Sequence, residues 1–132
     1  MEILISFTGG RKVEAKCGDH TILTDQPETS GGEDTAPTPF QLFLASIATC
    51  SAYYVLDFFR DRDIPLDGVS LSQTSELDPE TRELKKVAMQ INVPGDFPAK
   101  YHEALIRVAN LCKVKKSIQN APEMPVEVKV VG

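Results

Sequence analysis

Three side chains in this sequence are equipped for redox chemistry: the thiols of Cys50 and Cys112 and the guanidinium of Arg11. The two cysteines lie 62 residues apart on segments of helical periodicity, and both point toward the core. Such a pair can form a transient disulfide if the two helices pack face to face. Peroxide reduction by thiols needs one thiolate to attack the peroxide oxygen, a second thiol to capture the sulfenic acid, and a cation that favours the thiolate. Cys50 stands about three turns into its helix, too far in for the N-terminal dipole to help much. The cation must come from elsewhere. Arg11 is the candidate, because strand alternation places it on the apolar side and Arg stays charged when partly buried. A buried guanidinium wants a carboxylate, and Glu33, Asp34 and Asp57 are available. The competing reading is that Cys50 and Cys112 are small core residues, since free cysteine is among the most buried side chains. The residues alone leave both readings open. Cys17 simply ends an alternating strand, and His20 and His102 are surface residues without Cys/His spacing for a metal. Tyr53 and Tyr54 either pack or line a thiol pocket, and the lysines after Cys112 either form a solvated helix face or slightly acidify the thiol.

The elements that must position these groups can be read in order. Ile3, Ile5 and Phe7 alternate as a half-buried strand, and Thr8-Gly9-Gly10 reads as a hairpin turn. In the next strand Val13, Ala15 and Cys17 share one face with Arg11 by parity, and Lys12, Glu14 and Lys16 share the other. After the turn at Gly18-Asp19, residues 20–25 form a weaker third strand that enters a long Pro/Gly/Ser-rich connection, residues 26–37. Thr38 is the expected N-cap, with Pro39 at the first helical position and Gln41 completing a capping box. The helix that follows is apolar on most sides and ends at Asp63-Ile64-Pro65, which places it inside the fold. Two alternating strands around the turn 78–81 follow. Residues from Pro98 onward return to helical spacing with Tyr101, Leu105, Val108, Ala109 and Cys112 on one face; residues 113–119 continue that helix or begin a second one. Val126, Val128 and Val130 predict a last strand. The order is β-β-β-α-β-β-α-(α)-β, an α+β protein whose central helix is covered by sheet.

At 132 residues the chain reads as a single domain, 1–132, large enough for its own core. A net charge of −5 and the absence of a long basic run argue against a nucleic-acid or anionic-membrane surface. Three widely spaced cysteines fit neither a disulfide framework nor a four-thiolate metal site, and imply a reducing, cytoplasmic setting. The N-terminus lacks the pattern of a secretory signal. Residues 38–59 are long enough for a membrane span, but Gln41, Ser46, Thr49, Ser51, Asp57 and several alanines make the stretch only moderately hydrophobic.

Taken together, Thr8-Gly9-Gly10-Arg11, Gly31-Gly32-Glu33-Asp34, Pro37-Thr38-Pro39, the run from Leu42 to Cys50, and Cys112-Lys113-Val114 resemble the OsmC/Ohr (osmotically inducible, organic hydroperoxide resistance) family. The likeness spans essentially the whole chain, is strongest from Gly31 to Cys50, and lies closest to the OsmC-like branch. It implies the OsmC-like fold as an intertwined homodimer, with antiparallel sheets wrapped around the two long central helices and active sites at the subunit interface. It also implies reduction of organic hydroperoxides without metal or organic cofactor, Cys50 being peroxidatic and Cys112 resolving; an external dithiol is the expected reductant. Arg11 falls where the family's thiolate-stabilising Arg stands. In the family's peroxidases a glutamate after the helix-start proline holds that Arg. Pro39-Phe40-Gln41 carries no acid, which leaves Glu33 or Gln41 as its partner here. Lys113 stands where the second cysteine is usually followed by proline. Two functions are therefore expected: a Cys50/Cys112 thiol peroxidase, or a non-enzymatic module whose interface pocket, walled by Phe40, Phe43, Tyr53 and Tyr54, holds an apolar or sulfur-containing ligand.

Overall fold

The computed structural model describes residues 1–132, which form two compact units, Met1–Ser46 and Ile47–Gly132. The strands are β1 (Ile3–Gly9), β2 (Lys12–Cys17), β3 (His20–Thr24), β4 (Ser70–Leu77) and β5 (Leu84–Asn92). The helices are α1 (Pro39–Asp61), α2 (His102–Ala109) and α3 (Lys113–Gln119), with short 3-10 turns at Glu28–Ser30 and Ala99–Tyr101. The protein is α+β with antiparallel sheets, β1-β2-β3 in the first unit and β4-β5 in the second.

In the first unit, glycines set the hairpins. Cys17 pairs with His20 across a two-residue turn, and Gly18 takes the positive φ of 61° that such a turn asks of its first residue. At the first hairpin Gly9 pairs with Lys12, and the register shifts between Phe7 and Gly9. The shift breaks the alternation, so Arg11 lies in the turn and is exposed. The inward position expected from parity is not adopted, because pleat parity does not carry through a bulge.

The long connection is ordered around Asp25, which is 1% exposed. Its Oδ1 accepts the Gln26 N–H at 2.8 Å, and its Oδ2 accepts the Thr35 N–H at 3.1 Å and the Thr35 hydroxyl at 2.7 Å. The Asp25 N–H donates to the Pro37 carbonyl at 3.2 Å, so one residue ties both ends of the loop. The hydroxyl of Thr35 and the amides of Gln26 and Thr35 hold the carboxyl at about 2, against an ordinary 3.8. A carboxyl depressed on folding contributes stability that is fully present above its unfolded pKa and is lost as pH falls through the folded value. Loop 26–38 is therefore expected to stay closed at pH 5 and to open as pH falls from about 4 toward 2. Hydrogen exchange at the Thr35 amide checks this; equal protection at pH 5 and near pH 2 would contradict it.

Helix α1 starts where its capping box dictates. The Thr38 N–H donates to Gln41 Oε1 at 2.9 Å and the Gln41 N–H to Thr38 Oγ1 at 3.1 Å, a reciprocal pair worth about 1 kcal/mol. It ends two residues before the expected stop, at Asp61. The Asp63 N–H then bonds the Arg60 carbonyl at 3.2 Å and the Ile64 N–H the Phe59 carbonyl at 3.0 Å, with Asp63 at φ 51°. This is a Schellman cap whose left-handed position is filled by Asp rather than Gly. By length and composition α1 could cross a bilayer. Its buried stripe, Ile47, Ser51, Val55, Phe58 and Phe59, instead belongs to a protein core. Val55, Phe58 and Phe59 pack with Phe97, Leu105 and Ala109, and Leu71 and Ile91 of β4 and β5 close over them. The other apolar side chains of α1 are not all covered: Phe40, Phe43 and Tyr53 remain exposed in the single chain.

Residues 98–120 form two helices, not one. A 3-10 turn leads into α2, which stops at Ala109; Asn110 and Leu111 form a turn, and Cys112 starts α3. The last predicted strand is not formed in the single chain. Residues 121–132 carry no regular structure, and Val126, Val128 and Val130 are exposed. Alternation marks a segment fit to be a strand, but a strand exists only when a neighbour accepts its ladder hydrogen bonds.

Candidate redox site

The turn between α2 and α3 places Cys112. With φ −46° and ψ 117° it is the N-cap of α3, and its own Sγ accepts the Lys115 N–H at 3.4 Å. The thiol thus takes the role usually given to Ser or Asp. It is completely buried, with the Ile47 carbonyl of α1 3.9 Å from its sulfur. Cys50 comes from α1 and is only half-buried. Small neighbours (Ala45, Ser46, Ala48, Ser51, Ala52) let other parts of the chain approach this helix closely. Neither cysteine is in a disulfide. Burial pushes the Cys112 thiol up. The Lys115 amide, the Cys50 thiol, the Ser51 hydroxyl and the Val114 amide outweigh it and bring Cys112 below the ordinary thiol value.

In the first unit, the Arg11 guanidinium lies over Gly31. A Cβ on Gly31 would stand 3.3 Å from Arg11 Nε and 3.5 Å from Nη2, so the bare glycine makes room for it. The two residues named as possible partners of Arg11 are otherwise engaged. Glu33 forms an ion pair with Lys12, which raises the Lys12 pKa, and Gln41 serves the α1 cap. The physical reason is placement: Lys12 is the next residue along the hairpin and competes directly for the same carboxylate. Phe40 and Phe43 stack at 5.9 Å, and Tyr53 meets Tyr54 edge to face at 5.6 Å. No group of three or more His, Cys, Asp or Glu side chains is arranged to hold a metal ion.

Two residues had escaped the sequence reading. Asp25 organises the loop, and its only signal was an acid at the junction of a strand with a Pro/Gly-rich segment. Ser51 is fully buried beside the thiols, and a serine within a run of small helical residues reads only as a packing position.

The model of the OsmC family, described as OsmC-like protein, matches residues 31–127. No curated protein sequence matches the chain. Among solved structures, a Psychrobacter arcticus 273-4 protein named for osmotic stress induction and a detoxification response is 23% identical, with a TM-score of 0.72 over 87% of this chain and 85% of that one. The organic hydroperoxide resistance protein OsmC of Legionella pneumophila is 24% identical, with a TM-score of 0.57 over 90% of each chain. A Vibrio cholerae protein named as a candidate organic hydroperoxide resistance protein, holding captopril in one of its active sites, is 20% identical, with a TM-score of 0.59 over 92% of this chain and 86% of that one. The chain has the fold of these proteins, and with well over half its length matched it belongs to the OsmC-like family.

Proposed function

We propose that the protein is a thiol peroxidase that reduces organic hydroperoxides through Cys50 and Cys112. The observation that carries this reading is a pair of free thiols from two helices, one half-buried and one fully buried, near enough that the Cys50 thiol helps to lower the Cys112 pKa. Cys50, the accessible one, attacks the distal peroxide oxygen: an S–O bond forms, the O–O bond breaks, and the alcohol leaves with the thiol's proton. The Cys112 sulfur then attacks the Cys50 sulfenic acid, forming the disulfide and releasing water. An external dithiol is oxidised as it returns both thiols. The protein's own sulfurs suffice for this cycle, with neither metal nor organic cofactor. Family membership supports hydroperoxides as the substrate class. Arg11, exposed and without a carboxylate of its own, is the cation assigned to the peroxidatic thiolate. The three widely spaced cysteines and the acidic balance fit a single-domain cytoplasmic protein that binds neither nucleic acid nor membrane.

The active form in this proposal is a homodimer. Its support is apolar surface no soluble single chain keeps bare: Ile3, Ile5 and Phe7 of β1, Phe40 and Tyr53 of α1, and the alternating valines 126, 128 and 130. Sedimentation should give twice the 14.5 kDa chain mass; the chain mass itself would contradict the dimer.

Cys50→Ser should reduce dithiol-dependent consumption of an organic hydroperoxide by at least about 1000-fold, because no other accessible thiol meets a resolving partner. Unchanged turnover would instead favour a binding module for an apolar or sulfur-containing ligand. That second reading has support in the exposed Phe40, Phe43 and Tyr53 and in the captopril held by the Vibrio cholerae relative.

A further inference from the structure

Arg11 and Lys12 are neighbours at the first hairpin, and both meet the loop that follows β3. Arg11 lies over Gly31, where a Cβ would stand 3.3 Å from its Nε, while the Lys12 Nζ donates to the Glu33 carboxylate. The loop presents that carboxylate from a fixed backbone: the Gly32 N–H bonds the Pro27 carbonyl at 3.1 Å and the Asp34 N–H the Gln26 carbonyl at 3.0 Å, one on each side of Glu33. Glu33 stands two positions beyond Gly31, a span of at most about 7 Å, so a change of rotamer brings the guanidinium to the acid. Arg11 has room to turn, because Phe7, Gly10, Arg11, Lys12, Gln26 and Ser30 line an open concavity. Arg is the better carboxylate partner through its two-pronged hydrogen bonding, yet Lys12 holds Glu33. Arg11 is in no ion pair, nor are the exposed Glu28 and Asp34, and the buried Asp25 carboxylate is engaged by Gln26 and Thr35.

An ion pair whose acid is 67% exposed contributes little to stability. Its consequence is electrostatic. A guanidinium closed on a carboxylate has its charge balanced and its donors used, whereas a free one keeps both for another anion. We propose that Lys12 is a positioning residue for the peroxidatic site: by occupying Glu33 it denies Arg11 the carboxylate two positions from its seat and keeps the guanidinium available to the Cys50 thiolate. The inference rests on the peroxidase reading for the assignment of Arg11 to Cys50. Glu33 also raises the Lys12 pKa, so the lysine stays charged and the competition holds through neutral pH. The hairpin thus carries two adjacent cations with different tasks, one engaged by the loop and one left for sulfur.

The test is alkylation of Cys50 by iodoacetamide, in which the thiolate displaces iodide, at neutral pH and low salt in the reduced full chain. Peptide mapping separates Cys50 from Cys17 and Cys112. Lys12→Met releases Glu33 to Arg11 and should slow Cys50 roughly three- to ten-fold, whereas Lys12→Arg keeps the pair and should keep the rate. Glu33→Gln should be at least as fast as the parent, and Glu33→Gln added to Lys12→Met should restore the parent rate. In an Arg11→Met background, Lys12→Met should have no further effect. A mere clamp between hairpin and loop would be lost in Lys12→Met, in Glu33→Gln and in the double variant alike, so the restored rate separates the two roles; circular dichroism establishes that each variant is folded. Lys12→Met as fast as the parent, or a double variant as slow as Lys12→Met, would overturn the proposal. Turnover is not part of this readout. A protein inert to hydroperoxides whose alkylation follows the expected order contradicts only the peroxidase reading; an active one whose Cys50 is alkylated equally fast in Lys12→Met contradicts only this one.

Discussion

Cys112→Ser should turn a reversible thiol cycle into a single irreversible event. With no second sulfur against Cys50, the sulfenic acid formed there cannot close to a disulfide, and further peroxide carries it to the sulfinic and sulfonic acids. The only other cysteine, Cys17, ends β2 in the first unit. After one turnover per chain, dithiol-dependent peroxide consumption should therefore fall by roughly 100-fold or more. Peptide mass spectrometry should find Cys50 two or three oxygens heavier. The fold should survive with a modest loss, because serine still caps α3 at a position where Ser is among the preferred residues. Sustained turnover in this variant, with Cys50 recovered as free thiol, would remove Cys112 from the mechanism.

Gly32→Ala should cost more stability than any other glycine substitution in the chain. A Cβ at this position would fall 1.9 Å from the Gln26 carbonyl oxygen and 2.5 Å from its carbon, contacts that no rotamer change can relieve because both atoms are backbone. Moving the Gln26 peptide away gives up the Asp34 N–H bond to the Gln26 carbonyl at 3.0 Å, and it strains the Gln26 N–H bond to Asp25. Overpacking against a fixed backbone costs about 3 kcal/mol or more. For a domain of this length that lowers Tm by roughly 10 °C. Gly31→Ala should be milder: its φ of 83° costs about 1 kcal/mol, and the atoms it meets belong to the movable Arg11 side chain. Thermal unfolding of both variants gives the order. A Gly32→Ala protein as stable as the parent, or less affected than Gly31→Ala, would contradict this account of the loop.

What was legible in the sequence and what was not divide along physical lines. The start of α1 was readable to the residue, because Thr38, Pro39 and Gln41 carry a local signal that needs no tertiary contact. The turns at Gly18-Asp19 and at Asp78 were readable for the same reason; Asp78 Oδ1 accepts the amides of Glu80 and Thr81, both at 2.9 Å. Arg11 was misplaced because alternation assumes an unbroken pleat, and the register shift beside Gly9 changes its phase. The break between α2 and α3 left no Gly or Pro as a marker, since the cap is the side chain of Cys112 itself. Val126, Val128 and Val130 have the pattern of a strand without its partner, and sequence alternation cannot supply the neighbour. Within the candidate site, the reactive residue types were visible from the start. The burial of Cys112 against the Ile47 carbonyl, the commitment of Glu33 to Lys12 and the complete burial of Ser51 are all matters of distance, which only the fold reveals.

The most direct test of the central claim is titration of the reduced protein with one equivalent of an organic hydroperoxide, read by intact mass and by peptide mapping. The expected product is a chain lighter by two hydrogens, with Cys50 linked to Cys112 and Cys17 still free, and a dithiol should return it to the starting mass. Slow gain of oxygen at Cys50 without the Cys50 to Cys112 link, or no change in mass, would contradict the thiol-peroxidase account.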